Sequence, residues 1–280
     1  MGEIIACANQ KGGVGKTTTV VSLASYLALD GRRVLLVDMD PQGNATSGLG
    51  IDKEATDVSV YDVLLGDTLL TDAVRTTSIG GLDALPSNRG LAGAEVELVP
   101  SEARERRLKR VLDGAEDAYD FVLLDCPPSL GLLTVNALTA ADSVLIPLQC
   151  EYYALEGLGQ LMATVELIRE HLNPRLSLKG VVLTMHDGRT SLSADVTAEV
   201  RRHLGAQVFE NVVPRSVRLA EAPSYGQPIA VYSPASRGAM AYQAITAELL
   251  ERSGLAAGEP LRRARESYQA PRNDHEVEVR

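Results

Sequence analysis

The chain has 280 residues, of which 45% are hydrophobic and 23% are charged, and its formal net charge is −10. These values suit one large soluble α/β domain, and no apolar run approaches the roughly 18 residues of a membrane span. They exclude a generally basic nucleic-acid coat, although a local basic patch could still bind phosphate. No basic segment or cleavage site precedes the first apolar run, so we expect a cytoplasmic protein.

Short apolar runs alternate with amphipathic stretches from the N-terminus onwards. The apolar runs are EIIACAN (3–9), RVLLVDMD (33–40), DFVLLDCP (120–127), DSVLIPLQ (142–149) and LKGVVLTM (178–185). The helical stretches are residues 16–30 and residues near 101–115, 131–141, 154–172 and 236–252. Runs this continuously apolar are typical of strands buried on both faces. The sequence therefore predicts an α/β fold, doubly wound, with a mainly parallel sheet and helices on both faces.

Two parts of the chain do not follow this alternation. Residues 39–100 are rich in Gly, Asp, Thr and Ser, which predicts loops with short helices. Residues 254–280 are charged and polar, with few large apolar side chains. We therefore predict one folded domain over residues 1–253 and a disordered tail over residues 254–280, with a partner-binding segment as the alternative for the tail.

The first apolar run leads into NQKGGVGKTT (9–18), which is close to the phosphate-loop pattern G-x-x-x-x-G-K-[ST] but has Gln10 in place of the first glycine. In a Gly-rich turn between a strand and a helix, the backbone N–H groups of residues 12–18 can point at phosphate. Lys16 would contact the β- and γ-phosphates, and the Thr17 hydroxyl would bind Mg²⁺. The Gly-Lys-Thr ending disfavours a turn without a ligand. The nucleotide-binding residues that the loop itself predicts are Gly12, Gly13, Val14, Gly15, Lys16, Thr17 and Thr18.

Two of the predicted strands end in carboxylates. Asp38 and Asp40 follow one apolar run, and Asp125 follows another. Because ligands bind outside the carboxyl ends of the strands in open α/β sheets, these acids should converge on the phosphate loop. Solvation of a strand end is the alternative for any single acid. Hydrolysis at such a site would be an in-line attack of water on the γ-phosphate, catalysed by positioning and charge stabilisation.

Five stretches together carry a family resemblance. They are KGGVGKTTT (11–19), VLLVDMDPQGNATSGLG (34–50), FVLLDCPPSLG (121–131), PLQCEYYALEGL (147–158) and VVPRSVRLAEAPSYGQPI (212–229). In this order, the chain resembles the ParA/MinD family of P-loop ATPases up to roughly residue 250. The loop of that family is called the deviant Walker A. The chromosomal ParA type, also called Soj, is the most similar, since it too lacks an N-terminal helix-turn-helix domain.

The resemblance implies catalytic roles for three residues. Lys11, the additional lysine of this loop class, is expected to reach across a nucleotide-sandwich dimer to the phosphates bound by the other subunit. A solvated loop lysine is the alternative. Lys16 is expected to bind phosphates in its own subunit, and Asp40 to position or activate the attacking water. Residues 41–50 and 126–131 would be switch loops that the γ-phosphate orders.

The same resemblance implies sites for a metal and a base. The metal would be Mg²⁺, bound by Thr17 and, through a water molecule, by Asp125, with Asp38 in a supporting role. The adenine base would lie against Met185 and Pro214. ATP and Mg²⁺ are therefore the expected cofactors, and slow basal ATP hydrolysis is the expected activity.

The resemblance also implies DNA binding without sequence preference, by arginines in the last third of the chain. A dimer would double these contacts and steepen the salt dependence of binding. A solvated arginine face is the alternative for each residue. The arginines are Arg189 and Arg218, with Arg202, Arg215 and Arg237 as helpers.

The implied function is chromosome or plasmid partitioning by a nucleoid-associated homodimer. A ParB-type centromere-binding protein is the expected partner that stimulates hydrolysis, and no membrane is involved. A MinD-like membrane-associated ATPase is the alternative, but residues 255–280 lack the sustained apolar stripe of a membrane-binding helix. A protein similar to the nitrogenase iron protein would need cysteines in loops at a subunit junction. Cys7, Cys126 and Cys150 instead lie in or just after apolar runs, which predicts buried structural thiols.

Overall fold

Seven strands of the computed structural model, which describes residues 2–151 and 154–268, form one sheet. The strands are β1 (Glu3–Cys7), β2 (Val34–Asp38), β3 (Arg75–Thr76), β4 (Leu82–Leu85), β5 (Phe121–Asp125), β6 (Ser143–Gln149) and β7 (Ser177–Thr184). Their order across the sheet is β3-β4-β2-β5-β1-β6-β7. The edge strand β3 runs antiparallel to β4, and the other neighbouring pairs are parallel. This arrangement confirms the predicted doubly wound, mainly parallel sheet.

Helices connect the strands and cover both faces of the sheet. The α-helices of the described residues are α1 (Lys16–Leu29), α2 (Asn44–Gly48), α3 (Val60–Leu65), α4 (Leu70–Ala73), α5 (Leu91–Glu97), α6 (Arg107–Val111), α7 (Ala115–Ala118), α8 (Leu132–Ala140), α9 (Ala154–His171), α10 (Ser191–Leu204), α11 (Val217–Glu221), α12 (Ile229–Tyr232), α13 (Arg237–Arg252) and α14 (Glu259–Ser267). The ends of α1, α8, α9 and α13 lie within one residue of the predicted bounds. Within residues 2–151 and 154–268, no helix is both long enough and apolar enough to cross a membrane.

The strands bury both of their faces because helices pack on each side. Along β1, Ile4 and Ala6 belong to a core cluster with side chains of α8 and α9, whereas Ile5 and Cys7 belong to a second cluster with α1 and α13. Successive side chains of a strand point to opposite faces. Burial on both sides explains why the strands appear in the sequence as continuous apolar runs.

The register of the sheet aligns the carboxyl ends of its central strands. Asp125 on β5 pairs with Cys7 on β1, and it also pairs with Asp38 on β2. The chain leaves β1 at this edge and enters the phosphate loop. The connection from β1 runs through α1 to β2 on one side, whereas the connection from β5 runs through α8 past β1 to β6 on the other side, and a crevice forms where the direction of the strand order changes in this way. The register therefore brings Asp38 and Asp125 alongside the loop.

Two predictions for the middle of the chain need correction. The single helix predicted near 101–115 is broken into a 3₁₀ turn at Arg104–Arg106, α6 and α7, with Gly114 at a φ of 80° before α7. Residues 39–100 contain the predicted short helices, but they also contain strands β3 and β4, which were not predicted. Both strands are short, and β4 joins the sheet by pairing with β2. That contact is distant in the sequence and leaves no local pattern.

The disordered tail predicted from residue 254 is wrong for its first part. Residues 259–267 form α14, and Leu261 and Ala264 are buried against the protein. The composition is misleading because a few small or apolar side chains face inward while charged ones cover the outer face. Residues 269–280 lie outside the described residues, and the domain boundary remains a prediction.

Candidate active site

A cavity of about 520 Å³ opens at the carboxyl edge of the sheet, beside the loop that follows β1. This size is typical of ligand pockets. The cavity joins the loop to segments that follow β2 and β7. The predicted catalytic, nucleotide-binding and metal-binding residues that line it are Gly12, Gly13, Gly15, Lys16, Thr17, Thr18, Asp40, Met185 and Pro214. Lys11 and Val14 of the predicted nucleotide-binding set do not line it.

Backbone geometry and a bond to β7 shape the phosphate loop. Gly13 and Gly15 have φ values of 74° and 90°, in the left-handed region that favours glycine. Gly15 is also the N-cap of α1, so the free N–H groups of the first helical turn lie beside the cavity. The Thr184 hydroxyl donates to the Val14 carbonyl (2.8 Å). Val14 is itself buried, so it serves the site through its backbone.

The two lysines of the loop point in different directions. Lys16 is 7% exposed and lines the cavity, and its ammonium group donates to the Lys11 carbonyl (3.1 Å). The Lys11 side chain forms an ion pair with Glu151 (Nζ–Oε2 2.6 Å), in which the two side chains are 46% and 44% exposed. Lys16 is therefore placed to bind phosphate in its own chain, whereas Lys11 is directed away from that site.

Asp38 anchors residues 41–50, the segment predicted to be the first switch loop. Its carboxylate is fully buried and accepts hydrogen bonds from the Thr46 amide (2.8 Å), the Thr46 hydroxyl (2.7 Å) and the Asp40 amide (3.2 Å). Burial raises the pKa of Asp38 to about 6, although these donors favour the ionised form. The Thr46 hydroxyl in turn accepts a bond from the Ser87 amide (2.9 Å). Asp38 therefore fixes the position of α2 through hydrogen bonds, and it does not line the cavity.

Asp125 presents a buried carboxylate in which neither oxygen has a hydrogen-bond partner among the described residues. Burial, and next the neighbouring Asp38 carboxylate, raise its pKa well above the usual range, although the nearby Thr17 hydroxyl and the Lys16 charge favour the ionised form. Such a group is costly unless a cation compensates it. Mg²⁺ fits, because it takes few protein ligands and completes its shell with water and phosphate oxygens. Thr17 lines the adjoining cavity, and the described ranges hold no group of three His, Cys, Asp or Glu that could bind a metal alone.

Asp40 lies at the cavity wall, where hydrogen bonds from the segments after β2 and β4 hold it. Its Oδ1 accepts a bond from the Gln42 amide (2.9 Å), and its carbonyl accepts one from the Ser87 hydroxyl (2.8 Å). Its Oδ2 makes no hydrogen bond to any described residue, which leaves this oxygen available to water. Sequence reasoning missed Thr46 and Ser87, since both are ordinary polar residues of an irregular segment. Only their bonds to the carboxylates and backbone of the site identify them.

The predicted base contacts lie on two adjoining backbone segments. Met185 has a φ of 52°, which is unfavourable for a residue with a side chain. The segments are joined where the His186 amide donates to the Val213 carbonyl (3.0 Å) and the Arg215 amide donates to the His186 carbonyl (3.0 Å). Met185 and Pro214 are thereby held at one cavity. Their contact with a base stays a prediction.

The two main predicted DNA-binding arginines are exposed and pair with acids of their own chain. Arg189 pairs with Asp187 (Nη2–Oδ2 2.7 Å) and Arg218 with Glu221 (Nη1–Oε2 3.1 Å). Their side chains are 86% and 60% exposed. The Arg189 guanidinium lowers the pKa of the Asp187 carboxyl.

The three predicted helper arginines lie in different surroundings. Arg202 pairs with Glu199 on α10, and Arg237 is the exposed first residue of α13. Arg215 lines the nucleotide cavity. Its position beside the predicted base pocket gives Arg215 a second potential role that the sequence did not suggest.

Comparisons with known proteins agree with this geometry. A family described as an AAA domain matches residues 2–178. The chain is similar to the sporulation initiation inhibitor protein Soj of Bacillus subtilis, with 57% identity over 249 residues, which are 89% of this chain and 98% of that protein. It is also similar to the chromosome partitioning protein ParA of Caulobacter vibrioides, with 51% identity over 252 residues, which are 89% of this chain and 94% of that protein.

A solved structure extends the similarity to the whole fold. It is the crystal structure described as cobyrinic acid a,c-diamide synthase from Mycobacterium smegmatis with bound ADP and magnesium. The identity is 41%, the TM-score is 0.81, and the match covers 93% of this chain and 100% of that one. By its sequence and its doubly wound fold, the chain therefore belongs to the AAA domain family of P-loop ATPases, in the group that contains Soj and ParA.

Proposed function

We propose that the protein is an ATP-driven switch that dimerises on ATP, binds DNA without sequence preference, and takes part in chromosome or plasmid partitioning. The observation that carries the proposal is the split between the two loop lysines. Lys16 lines the cavity of its own chain, and Lys11 lies outside it. A loop that served one isolated site would need only Lys16. The name of the ParA relative supports the partitioning function.

ATP and Mg²⁺ are the cofactors of this switch. The N–H groups of the loop and the Lys16 ammonium group bind the phosphates, while Thr17 and, through water, Asp125 hold the metal. Bound Mg²⁺ supplies positive charge next to the phosphate oxygens. Asp125 suits this role because its buried carboxylate has no protein partner among the described residues. The ADP and magnesium in the similar Mycobacterium smegmatis structure support the assignment.

Asp40 positions the water that attacks the γ-phosphate. Its Oδ1 is engaged by the Gln42 amide, which orients the carboxylate, and its Oδ2 accepts a hydrogen bond from the water. Lys16 stabilises the charge of the phosphate oxygens during the in-line displacement. Without a partner that completes this arrangement, hydrolysis is slow, and a ParB-type protein is the expected stimulator.

Lys11 couples ATP binding to dimerisation. In the single chain its charge is satisfied by Glu151, but both side chains are nearly half exposed. An exposed ion pair of this kind contributes about 0–1 kcal/mol, so its loss costs little. Exchange of the single carboxylate for the triphosphate of a second subunit is therefore favourable, and it makes the dimer depend on ATP.

The dimer binds DNA through Arg189 and Arg218. Both arginines are exposed, and their pairs with Asp187 and Glu221 lie at the surface, where such pairs are weak and screened by salt. The guanidinium groups can therefore turn to DNA phosphates, and a dimer presents two copies of each. Arg202, Arg215 and Arg237 contribute further positive charge, and the DNA-bound dimer is associated with the nucleoid.

The packing of α14 against the protein disfavours a MinD-like membrane function. Leu261 and Ala264, which would have to enter the lipid, are buried against the protein. The rest of the candidate segment, residues 269–280, lies outside the described residues. Sedimentation with liposomes in the presence of ATP would revive this function.

Electron transfer through a cluster at a subunit junction is disfavoured by the cysteines. Cys7, Cys126 and Cys150 are buried, and burial raises the pKa of each thiol, so the thiolate that would bind a metal cluster is unfavourable. A brown protein after purification would contradict this view.

The similar Mycobacterium smegmatis structure gives a second candidate, the ATP-dependent amidation of a carboxylic acid. The two functions differ in what accelerates ATP hydrolysis. A partitioning ATPase responds to DNA together with a ParB-type protein, whereas an amide synthase responds to cobyrinic acid with an amide-nitrogen donor.

The proposed switch is tested with the Asp40→Ala protein in size-exclusion chromatography and DNA binding, with ATP and with ADP. This variant should bind ATP, fail to hydrolyse it, and remain a dimer on DNA, whereas ADP should leave it monomeric. Adding Lys11→Ala should abolish the ATP dimer but keep nucleotide binding, and adding Lys16→Ala should abolish both. An Asp40→Ala protein that stays monomeric with bound ATP would sink the proposal.

A further inference from the structure

Helix α14 packs along α13 at the C-terminal end of the described chain. Leu261 and Ala264 face the protein, and before the helix the Gly258 amide donates to Asp30 Oδ1 after α1 (2.9 Å). Tyr268, directly after the helix, is buried against side chains of α13. The helix is therefore fixed near both of its ends. Neither the proposed catalytic cycle nor the DNA surface uses it.

Tyr268 makes a buried hydrogen bond to the segment that leads to the predicted base pocket. Its hydroxyl donates to the Val212 carbonyl (2.8 Å). Burial raises the pKa of Tyr268 to about 12, so the hydroxyl stays protonated and remains a donor. Val212 comes two residues before Pro214, which lines the nucleotide cavity.

Arg265 contacts the same segment by charge. Its guanidinium pairs with Glu210 (Nη2–Oε2 3.1 Å) and with Glu251 on α13; its side chain is 23% exposed, whereas those of Glu210 and Glu251 are 71% and 57% exposed. The Glu210 amide also donates to both carboxylate oxygens of Glu248, a buried residue of α13 (3.1 and 3.0 Å). The two C-terminal helices thus hold Glu210 through its side chain and its backbone.

The other end of the segment is tied to the sheet. The Val213 amide donates to the Leu183 carbonyl on β7 (2.8 Å), and the Val213 carbonyl accepts from the His186 amide (3.0 Å). Val213 and Pro214 line the cavity. This wall of the cavity therefore lies between β7 on one side and the C-terminal helices on the other.

We propose that Tyr268 and Arg265 are positioning residues for the nucleotide base, because they fix residues 210–214 so that Pro214 keeps its place at the cavity. This inference rests on the base pocket of the proposed function. The phosphate loop is attached to β7 separately, through the bond from Thr184 to Val14. Loss of the Tyr268 hydroxyl should therefore weaken the binding of a nucleotide but leave a bare polyphosphate unaffected.

Calorimetric titration of the full-length Tyr268→Phe protein with ATP and with inorganic tripolyphosphate, both with Mg²⁺, tests the inference. The affinity for ATP should fall about threefold to tenfold, as expected for one neutral hydrogen bond, and the affinity for tripolyphosphate should not change. Arg265→Gln removes a different contact to the same segment and should act in the same direction. Tyr119→Phe is the matched control, since its hydroxyl donates to Asp83 (3.0 Å) at the opposite end of the sheet.

Two outcomes would overturn the inference: unchanged ATP affinity in both variants, or equal losses for ATP and tripolyphosphate. If the wild type binds ATP more tightly than tripolyphosphate in these cases, the base pocket stands although the positioning role does not. A wild-type protein that bound ATP no more tightly than tripolyphosphate would instead remove the base pocket from the proposed function, and this inference with it.

Discussion

Among single residues, Asp125 shows how the site holds an unfavourable charge. Both of its oxygens are buried without a partner among the described residues, and burial raises its pKa. A carboxyl whose pKa is raised by folding binds its proton more tightly in the folded state. Stability therefore falls as the pH rises from the unfolded value of about 3.9 through the raised folded value. Above that window the full cost is present until a cation binds.

Asp125→Asn should stabilise the protein without nucleotide at about pH 8. Removing the buried charge should raise the free energy of unfolding by about 1–3 kcal/mol, the cost of an unsatisfied buried group. The gain should shrink towards about pH 4, where the wild-type carboxyl is also neutral. Thermal melts at both pH values measure it, and ATP with Mg²⁺ should stabilise the wild type more than the variant.

Asp142→Asn is the control for this change, because Asp142 Oδ2 already accepts a hydrogen bond from the Ile4 amide (2.9 Å). It should not stabilise the protein, because it weakens an existing hydrogen bond. A less stable Asp125→Asn protein at about pH 8 would contradict the view that burial makes the Asp125 charge unfavourable.

Among the structural elements, α2 depends on one threonine for its attachment to the site. The Thr46 hydroxyl donates to Asp38 and accepts from the Ser87 amide, so it links α2, the end of β2 and the chain after β4. Because Asp38 is beside Asp125 in the sheet, this link connects α2 to the metal region. A change at the end of β2 can therefore be passed to α2 through this link, as a switch requires.

Thr46→Val should destabilise the protein by about 1–3 kcal/mol, since it keeps the side-chain shape but deprives Asp38 of a donor and Ser87 of an acceptor. The loss should be larger above about pH 6, where Asp38, with its pKa of about 6, is ionised. Urea denaturation at about pH 5 and about pH 8 measures both effects. Thr71→Val, at an exposed position of α4, should change stability by less than about 0.5 kcal/mol. Equal losses at the two pH values would show that Thr46 does not act through the Asp38 charge.

For the molecule as a whole, the proposed DNA binding would have to overcome a formal net charge of −10. The long-range interaction of this net charge with DNA is repulsive, so binding would depend on local contacts such as those proposed for Arg189 and Arg218. Such contacts release counterions from DNA, so their number determines how steeply affinity falls with salt. In the proposed switch, dimerisation would double this number and make DNA binding depend on ATP.

Arg218→Ala should reduce the slope of log affinity against log salt by about 2 for the ATP dimer, since each phosphate contact contributes about 0.9 and the dimer has two copies. Fluorescence anisotropy with a labelled duplex at several salt concentrations measures the slope. Arg169→Ala is the control, because Arg169 on α9 also pairs with an acid three residues away, Glu166. An unchanged slope would exclude Arg218 from the DNA surface, and a change of about 1 would indicate binding by a monomer.

Local patterns were sufficient to predict most of the fold and the core of the site. Apolar runs marked the central strands because those strands are buried on both faces, and the spacing of Gly and Lys marked the phosphate loop. The position of Asp38 and Asp125 at the ends of two apolar runs also predicted their convergence, since parallel strands end at one edge. Each of these signals comes from residues close together in the chain.

Contacts between distant segments could not be read in this way. The pairing of β4 with β2, the ion pair of Lys11 with Glu151, the position of Arg215 at the cavity, and the packing of α14 all depend on where the chain returns in space. Residues such as Thr46 and Tyr268 have no distinctive neighbours in the sequence, and a polar composition concealed α14. Only the tertiary structure determines the roles of these residues, because a hydrogen bond or a buried face depends on its partner, and that partner lies in another part of the chain.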